Sequence, residues 1–241
     1  MKKFFTIVAV VLVVGVIALG AFAQFAVPTA LTNYLKSVVI DSTHAQEVTL
    51  QMNALPNAKI ALGYVDSLHC TAADATIGDL NLKKATLDGS ILNINIKEII
   101  FPTEGISREE HTNRCLNSAG SLELSGVITE DALSSFLEEK VGQLKDPKVT
   151  MSPEGITAAA KVKILGREAD VQIGGQIIAR EGDLYFQMLH LNVENAILRR
   201  VNLDKFLGDF NLTEAVKMPF GLQFRTVEMR QGEAFVKATR N

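Results

Sequence analysis

Through residues 148–194 apolar and polar side chains alternate in three long runs joined by short, glycine-bearing turns. In the first run Ile156, Ala158, Ala160, Val162 and Ile164 face one way and Thr157, Ala159, Lys161 and Lys163 the other. This is the period-two signature of a half-buried strand. The second run repeats it with Ala169, Val171, Ile173, Gly175, Ile177 and Ala179. The third places Leu184, Phe186 and Met188 on one face and continues with Leu189, Leu191 and Val193, so its phase slips by one residue near Met188. A slip of one predicts a β-bulge. The runs 155–165, 168–180 and 183–193 are each about 11 to 13 residues, or about 35 to 45 Å, against about 5 or 6 residues for an ordinary strand. Strands this long curl or wrap around something. Their apolar face is rich in Ala and Gly, which leaves two alternatives: a close-packed helix, or space kept for a ligand.

Helical spacing surrounds this block. Leu31, Tyr34, Leu35, Val38 and Val39 predict an amphipathic helix after Pro28. Residues 47–52 alternate as a strand, and 56–66 predict a short helix or helical turn that Gly63 ends. Strand signals resume over 68–77 and 85–99, and the polar stretch 101–119 predicts a long surface loop with one helical turn. Residues 121–128 alternate again. Thr129, followed by Glu130 and Asp131, then predicts a capped helix start, with Leu133, Phe136, Leu137 and Val141 on its apolar stripe. Leu203, Phe206, Leu207 and Phe210 predict another short helix, and 222–228 with 234–239 the last hairpin, turning at Gly232. The fold class predicted is α+β, a long, curved antiparallel sheet wrapped around or covered by a few amphipathic helices.

The N-terminus changes the picture. Lys2 and Lys3 precede an apolar run over residues 4–23 that ends in the small-x-small triplet Ala21, Phe22, Ala23. This is the pattern of an export signal. If it is cleaved after Ala23 the product is secreted; if it is kept, a run of this length spans a bilayer as an anchor. The chain therefore divides into a signal or anchor at 1–23 and a single domain at 24–241, expected in the cell envelope outside the cytoplasmic membrane. Losing residues 1–23 removes Lys2 and Lys3 and no acid, taking the net charge from −3 to −5. A mildly acidic domain without a concentrated basic stripe argues against a nucleic-acid partner.

Candidate chemistry is sparse. His44, His69, His111 and His190 are widely spaced and match no zinc-binding pattern, and no nucleophile elbow, phosphate-cradling glycine loop or Cys-x-x-Cys is present. No catalytic residue, metal or cofactor is expected. Glu109 with Glu110 and Glu138 with Glu139 read as solvated faces; Arg199 with Arg200 reads as a surface pair, with phosphate contact as the alternative. Cys70 and Cys115 are the two cysteines. In an exported protein they are expected to form one disulfide, the alternative being two unpaired thiols.

The order of features carries a resemblance. An exported N-terminus, a helix entering at Pro28, the segment Ala61, Leu62, Gly63, Tyr64, alternating strands, Gly126 before the capped helix, and Met218-Pro219-Phe220-Gly221-Leu222 before a Gly-turn hairpin resemble the LmeA-like family of bacterial envelope phospholipid-binding proteins. The polar stretch 103–117 with Cys115 departs from it. The resemblance implies a fold similar to tubular lipid-binding domains and a phospholipid or lipid-linked glycan as ligand. On that reading the groove candidates are Leu133, Phe136 and Leu137 of the capped helix, Ile156, Ala158, Ala160 and Val162, Val171, Ile173 and Ile177, and Phe186, Leu189 and Leu191. The protein would hold or shuttle membrane lipid. The alternative is a non-catalytic adaptor that contacts a partner protein through the sheet or the 101–119 loop.

Overall fold

The structure, a computed structural model, describes residues 27–140, 144–164, 167–193, 209–213 and 218–240. The first helix, α1 (Val27–Thr43), is turned back by residues 44–46 onto β1 (Glu47–Asn53). A 3₁₀ turn (Asn57–Leu62) follows and ends at Gly63, whose φ of 87° is the left-handed conformation that glycine adopts at least cost. Strands β2 (Tyr64–Ile77) and β3 (Leu80–Ile94) form a long hairpin. Then come α2 (Ile96–Ile100), α3 (Arg108–Arg114), β4 (Leu116–Ser118) and β5 (Ser121–Thr129).

Helix α4 (Glu130–Lys140) leads to β6 (Leu144–Ser152), β7 (Gly155–Ile164), β8 (Arg167–Arg180) and β9 (Asp183–Val193). The short β10 (Asp209–Asn211), the 3₁₀ turn Pro219–Gly221 and the hairpin β11 (Leu222–Arg230) and β12 (Glu233–Arg240) complete the described chain.

The α+β class and antiparallel pairing follow the sequence pattern. The strands divide into two sheets. The first has the order β1-β2-β3-β5-β12-β11, with β4 also on β3; the second has the order β10-β9-β8-β7-β6. The predicted central block is thus the bulk of the second sheet. Its predicted bulge is present: Gly174 pairs with His190 and Gly175 with Met188, so Leu189 is the extra residue. The β8–β9 turn has positive φ at both Glu181 (55°) and Gly182 (94°), the pattern whose twist matches a two-residue hairpin.

Three links join the sheets. The amide of Phe224 in β11 donates to the Gly182 carbonyl at 2.9 Å, and the amide of Gly232, at the tip of the last hairpin, donates to the Met151 carbonyl at 3.1 Å. The third link is α4, which leaves β5 and lies along β6, the edge of the second sheet. Its side chains occupy that edge: Glu130 Oε1 accepts from the Met151 amide at 2.7 Å and Ser134 Oγ from the Val149 amide at 3.3 Å. An edge strand otherwise offers unpaired amides to any passing chain. Thr129 caps the helix as expected, its Oγ1 accepting from the Ala132 amide at 3.3 Å.

Several expectations are corrected. The alternation read as strand through residue 99 breaks at Asn95, whose side chain accepts from the Glu98 amide and starts α2. The predicted helix ending at Phe210 is not seen at that residue, which lies in β10; residues 203–207, like Val141, fall outside the described residues, as do residues 1–23, Arg199 and Arg200. The turn in 101–119 is the two-turn helix α3, and the turn before Gly63 is 3₁₀.

The disulfide is not formed: Cys70 and Cys115 are both free thiols. The topology separates them. Cys70 sits opposite Leu87, whereas Leu116, next to Cys115, sits opposite Ile94, seven residues further along β3. That is about 23 Å of strand, far beyond the 7 Å or so that a disulfide's Cα atoms can span. Burial pushes both thiols above their ordinary pKa, with nearby Lys36 partly offsetting this for Cys70 and Glu98 reinforcing it for Cys115.

Two adjacent glycines explain part of the small-residue content. A Cβ on Gly175 would lie 2.5 Å from the Gln187 carbonyl oxygen and 2.7 Å from Phe186 Cζ. On Gly174 it would strike the ring of His190, an exposed side chain that can swing away. The first obstacle includes backbone and a fully buried ring, the second a movable imidazole. Gly175→Ala is therefore expected to lower the unfolding free energy by about 1–3 kcal/mol, and Gly174→Ala by less, in urea denaturation; equal losses would contradict this account.

Candidate functional site

The thirteen apolar positions predicted to line a groove come from α4, β7, β8 and β9. Eleven of them are buried in one continuous hydrophobic core. Leu133, Phe136 and Leu137 carry the apolar stripe of α4; Ile156, Ala158, Ala160 and Val162 come from β7; Val171, Ile173 and Ile177 from β8; and Phe186 from β9. Leu191 is half-buried against the same core. Leu189 departs from the set. As the bulge residue it loses the period-two phase, and its side chain is 59% exposed. The sequence pattern thus identified one apolar interior, in which Ala158, Ala160 and Ala169 are buried and Ala179 is half-buried. Burying each large side chain in this interior contributes roughly 1.5 to 3 kcal/mol.

An open depression of about 320 Å³ lies elsewhere, at one end of the first sheet, lined by Asn113, Leu116, Phe220, Gly221 and Arg240. It is at the small end of the range for ligand sites, about 300 to 1,000 Å³. Asn113 of α3 fixes its wall, Oδ1 accepting from the Phe220 amide at 2.7 Å. Leu116 and Phe220 give it apolar surface and Arg240 a cation, a pairing suited to a ligand with an apolar body and an anionic group. None of these five residues was singled out as a candidate from sequence. Asn113 and Leu116 belong to the stretch read as loop, and Phe220, in the segment quoted for the resemblance, has a left-handed φ of 60° that periodicity does not reveal.

The polar groups near this end are engaged in structure. Glu98 is buried, and its carboxylate accepts from the Thr103 amide at 3.0 Å and the Thr103 hydroxyl at 2.8 Å. The Thr103 amide first, then its hydroxyl, with smaller help from His111 and Arg114, hold this carboxyl below its usual range. His111 Nε2 lies 3.3 Å from the Glu98 carbonyl oxygen and 3.8 Å from its carboxylate. Elsewhere His69 Nδ1 meets Asp88 Oδ1 at 2.6 Å across the β2–β3 pair, and the His190 ring covers Gly174. His44 makes the α1–β1 turn with φ 52°. These placements account for the histidines locally. Among the described residues no group of three or more His, Cys, Asp or Glu is arranged to hold a metal ion.

Against this geometry, the sequence model of the LmeA-like phospholipid-binding family matches residues 19–239. The chain belongs to that family. The match spans both sheets, α4 and the end that carries the depression. No curated protein matches the chain. In this LmeA-like domain the polar stretch at 103–117 is accommodated as α3 docked on the segment around Phe220. Among its described residues no helix is long and apolar enough to cross a membrane.

A pH dependence follows from Glu98. A carboxyl lowered in the folded state stabilises it fully above its unfolded pKa of about 4.3, and that contribution is lost as pH falls through the lowered folded value. Thermal unfolding of the wild type should therefore lose stability relative to Glu98→Gln as pH drops below about 4.3. Parallel pH profiles for the two proteins would show that Glu98 is not held in its charged form.

Proposed function

We propose that this protein is an extracytoplasmic lipid-binding protein that holds or shuttles phospholipid or a lipid-linked glycan in the cell envelope. Membership of the phospholipid-binding family over residues 19–239 carries the proposal. The apolar run at 4–23 after Lys2 and Lys3 supports the location, as a cleaved signal or a retained anchor.

The interior supports the ligand. The α4 stripe faces strands whose apolar positions are long-range neighbours in one core. The edge of β6 is held to α4 by Ser134 and Glu130, two side-chain contacts in place of a strand ladder. An acyl chain enters most cheaply where a helix can shift without breaking strand pairing. The strands exceed the ~15 Å depth of one leaflet's hydrocarbon, so such a chain can lie along them. The reading assigns no catalytic step; His69 is paired with Asp88, His111 is engaged with Glu98, and Glu98 with Thr103.

A second reading, an adaptor that binds a partner protein, is favoured by one observation: the described interior is closely packed while large apolar side chains, Ile100 and Phe101 among them, are exposed near the 101–119 stretch.

The two readings separate in one measurement. Protein purified without detergent from the compartment to which it is exported is extracted with organic solvent, and the extract is examined by mass spectrometry. Phospholipid at close to one molecule per chain is expected. Folded protein that is lipid-free and takes up nothing from offered liposomes would sink the lipid reading and bring the adaptor forward.

A further inference from the structure

Large apolar side chains exposed to solvent are not scattered evenly over this molecule. Of the ten among the described residues, six lie at one end of the first sheet: Leu55, Leu62, Tyr64, Ile91, Ile100 and Phe101. They come from the β1–β2 connection, the adjoining start of β2, the last turn of β3 and the end of α2. Pairing places these pieces together, because the Ile94 amide donates to the Gly63 carbonyl at 2.7 Å and a Cβ on Gly63 would meet the Ile94 carbonyl at 2.1 Å.

Their outward stance is built into the fold. In the 54–62 segment Ala54 and Ile60 are buried anchors, while Leu55 and Leu62 point out, 82% and 73% exposed. The Leu55 amide is fixed by Asp66 Oδ2 at 2.8 Å. In the second segment Ile99 is buried and Glu98 is tied to Thr103, while Phe101 is 72% exposed. Ile91 adds an independent sign: a β-branched residue at a φ of 50° with its side chain in solvent. That conformation is strained for isoleucine and gains no burial in return.

The N-terminal chain leads to the same end. The Tyr34 hydroxyl of α1 reaches the Ile99 carbonyl at 3.5 Å, and the far end of the helix, Thr43, is joined through residues 44–46 to the start of β1, which runs back toward Leu55. So α1 runs antiparallel to β1, and Val27 lies toward the apolar end. The sequence immediately before it is the apolar run 4–23. Where that run is kept as an anchor, it joins the domain at the start of α1, on the side of this apolar end.

We propose that this end of the first sheet is a bilayer-docking surface, with Leu55, Leu62, Ile100 and Phe101 entering the boundary between headgroups and acyl chains. The occupant is a phospholipid leaflet. Its choice over a protein partner rests on the phospholipid-binding reading and on the N-terminal run. Charge contributes little: Lys59 and Lys97 are exposed here, but so is Glu104. Insertion to the ~5 to 10 Å reached by interfacial apolar faces supplies the attraction, and docking is accordingly insensitive to salt. The depression with Arg240 and Phe220 opens at the same end, since Leu222 pairs with Arg240 and the β5 start pairs with the β3 end. A lipid leaving the leaflet meets it first.

The chain has no tryptophan, so single tryptophans report position without background. Leu62→Trp, Phe101→Trp and, at the opposite end in the β11–β12 turn, Gln231→Trp are made in the full chain. Each is reconstituted with phosphatidylcholine and phosphatidylglycerol vesicles whose acyl chains are brominated, and fluorescence quenching is read. Quenching at 62 and 101 at least about twofold that at 231 is expected at interfacial depth, and Leu62→Glu placed in the Phe101→Trp protein should bring it down to the level at 231. Equal quenching at all three positions overturns the proposal as nonspecific adsorption. No quenching at any position overturns it too and gives the patch to a protein partner. Solvent extraction of the Leu62→Glu protein separates the two readings: co-purified lipid with a dry tip ends the docking proposal alone, whereas its absence from every variant and from the wild type ends the lipid reading.

Discussion

Two antiparallel sheets with one apolar core between them depend on how the second sheet's edge is closed. Among the described residues β6 has no strand on its outer side, and α4 takes that place, Glu130 and Ser134 accepting from the amides of Met151 and Val149. Because α4 grows directly out of β5, the same helix ties the two sheets together covalently and by hydrogen bonds. Its Leu133, Phe136 and Leu137 are then buried at 3% exposure or less. Without that closure β6 would be an open edge, and the stripe of α4 would face water.

The closure also decides what the interior can do. A core enclosed by strands alone opens only by breaking ladders of backbone hydrogen bonds. One wall of this interior is α4, held to the β6 edge by the side chains of Glu130 and Ser134. Small residues do not by themselves mark a vacancy: Gly175 is small because the Phe186 ring and the Gln187 carbonyl already occupy the space over it.

The two ends of the first sheet differ in kind. One closes in tight turns, at Gly78 between β2 and β3 and at Gly232 between β11 and β12. The other carries the longer connections, the bonds from Thr103 to the buried Glu98 carboxylate that hold them, and the exposed leucines and phenylalanine. Connections at one end of a rigid sheet are where function is usually placed, since the strands fix their bases while their tips are free of core packing. That end also receives the N-terminal helix, whose Tyr34 hydroxyl reaches the Ile99 carbonyl.

Local patterns fixed much of this. Period-two alternation set β7, β8 and β9 to within a residue or two and placed a bulge near Met188, next to the extra residue Leu189, because a strand's facing is a property of its own sequence. The hydroxyl of Thr129 and the left-handed glycine at 63 marked a helix start and a turn end for the same reason. Tertiary structure decided what depends on distant pairing. The strands divided into two sheets because β12, the last strand, inserts beside β5. Cys70 and Cys115 stayed thiols because the register of β3 holds them about seven residues of strand apart, a distance no spacing in sequence encodes. The apolar end was hidden for a related reason: Leu55 and Leu62 read like core residues, and only the burial of Ala54 and Ile60 beside them turns their side chains to solvent. Hydrophobicity is written in each residue, but whether a hydrophobic residue is covered depends on which parts of the chain come to lie over it.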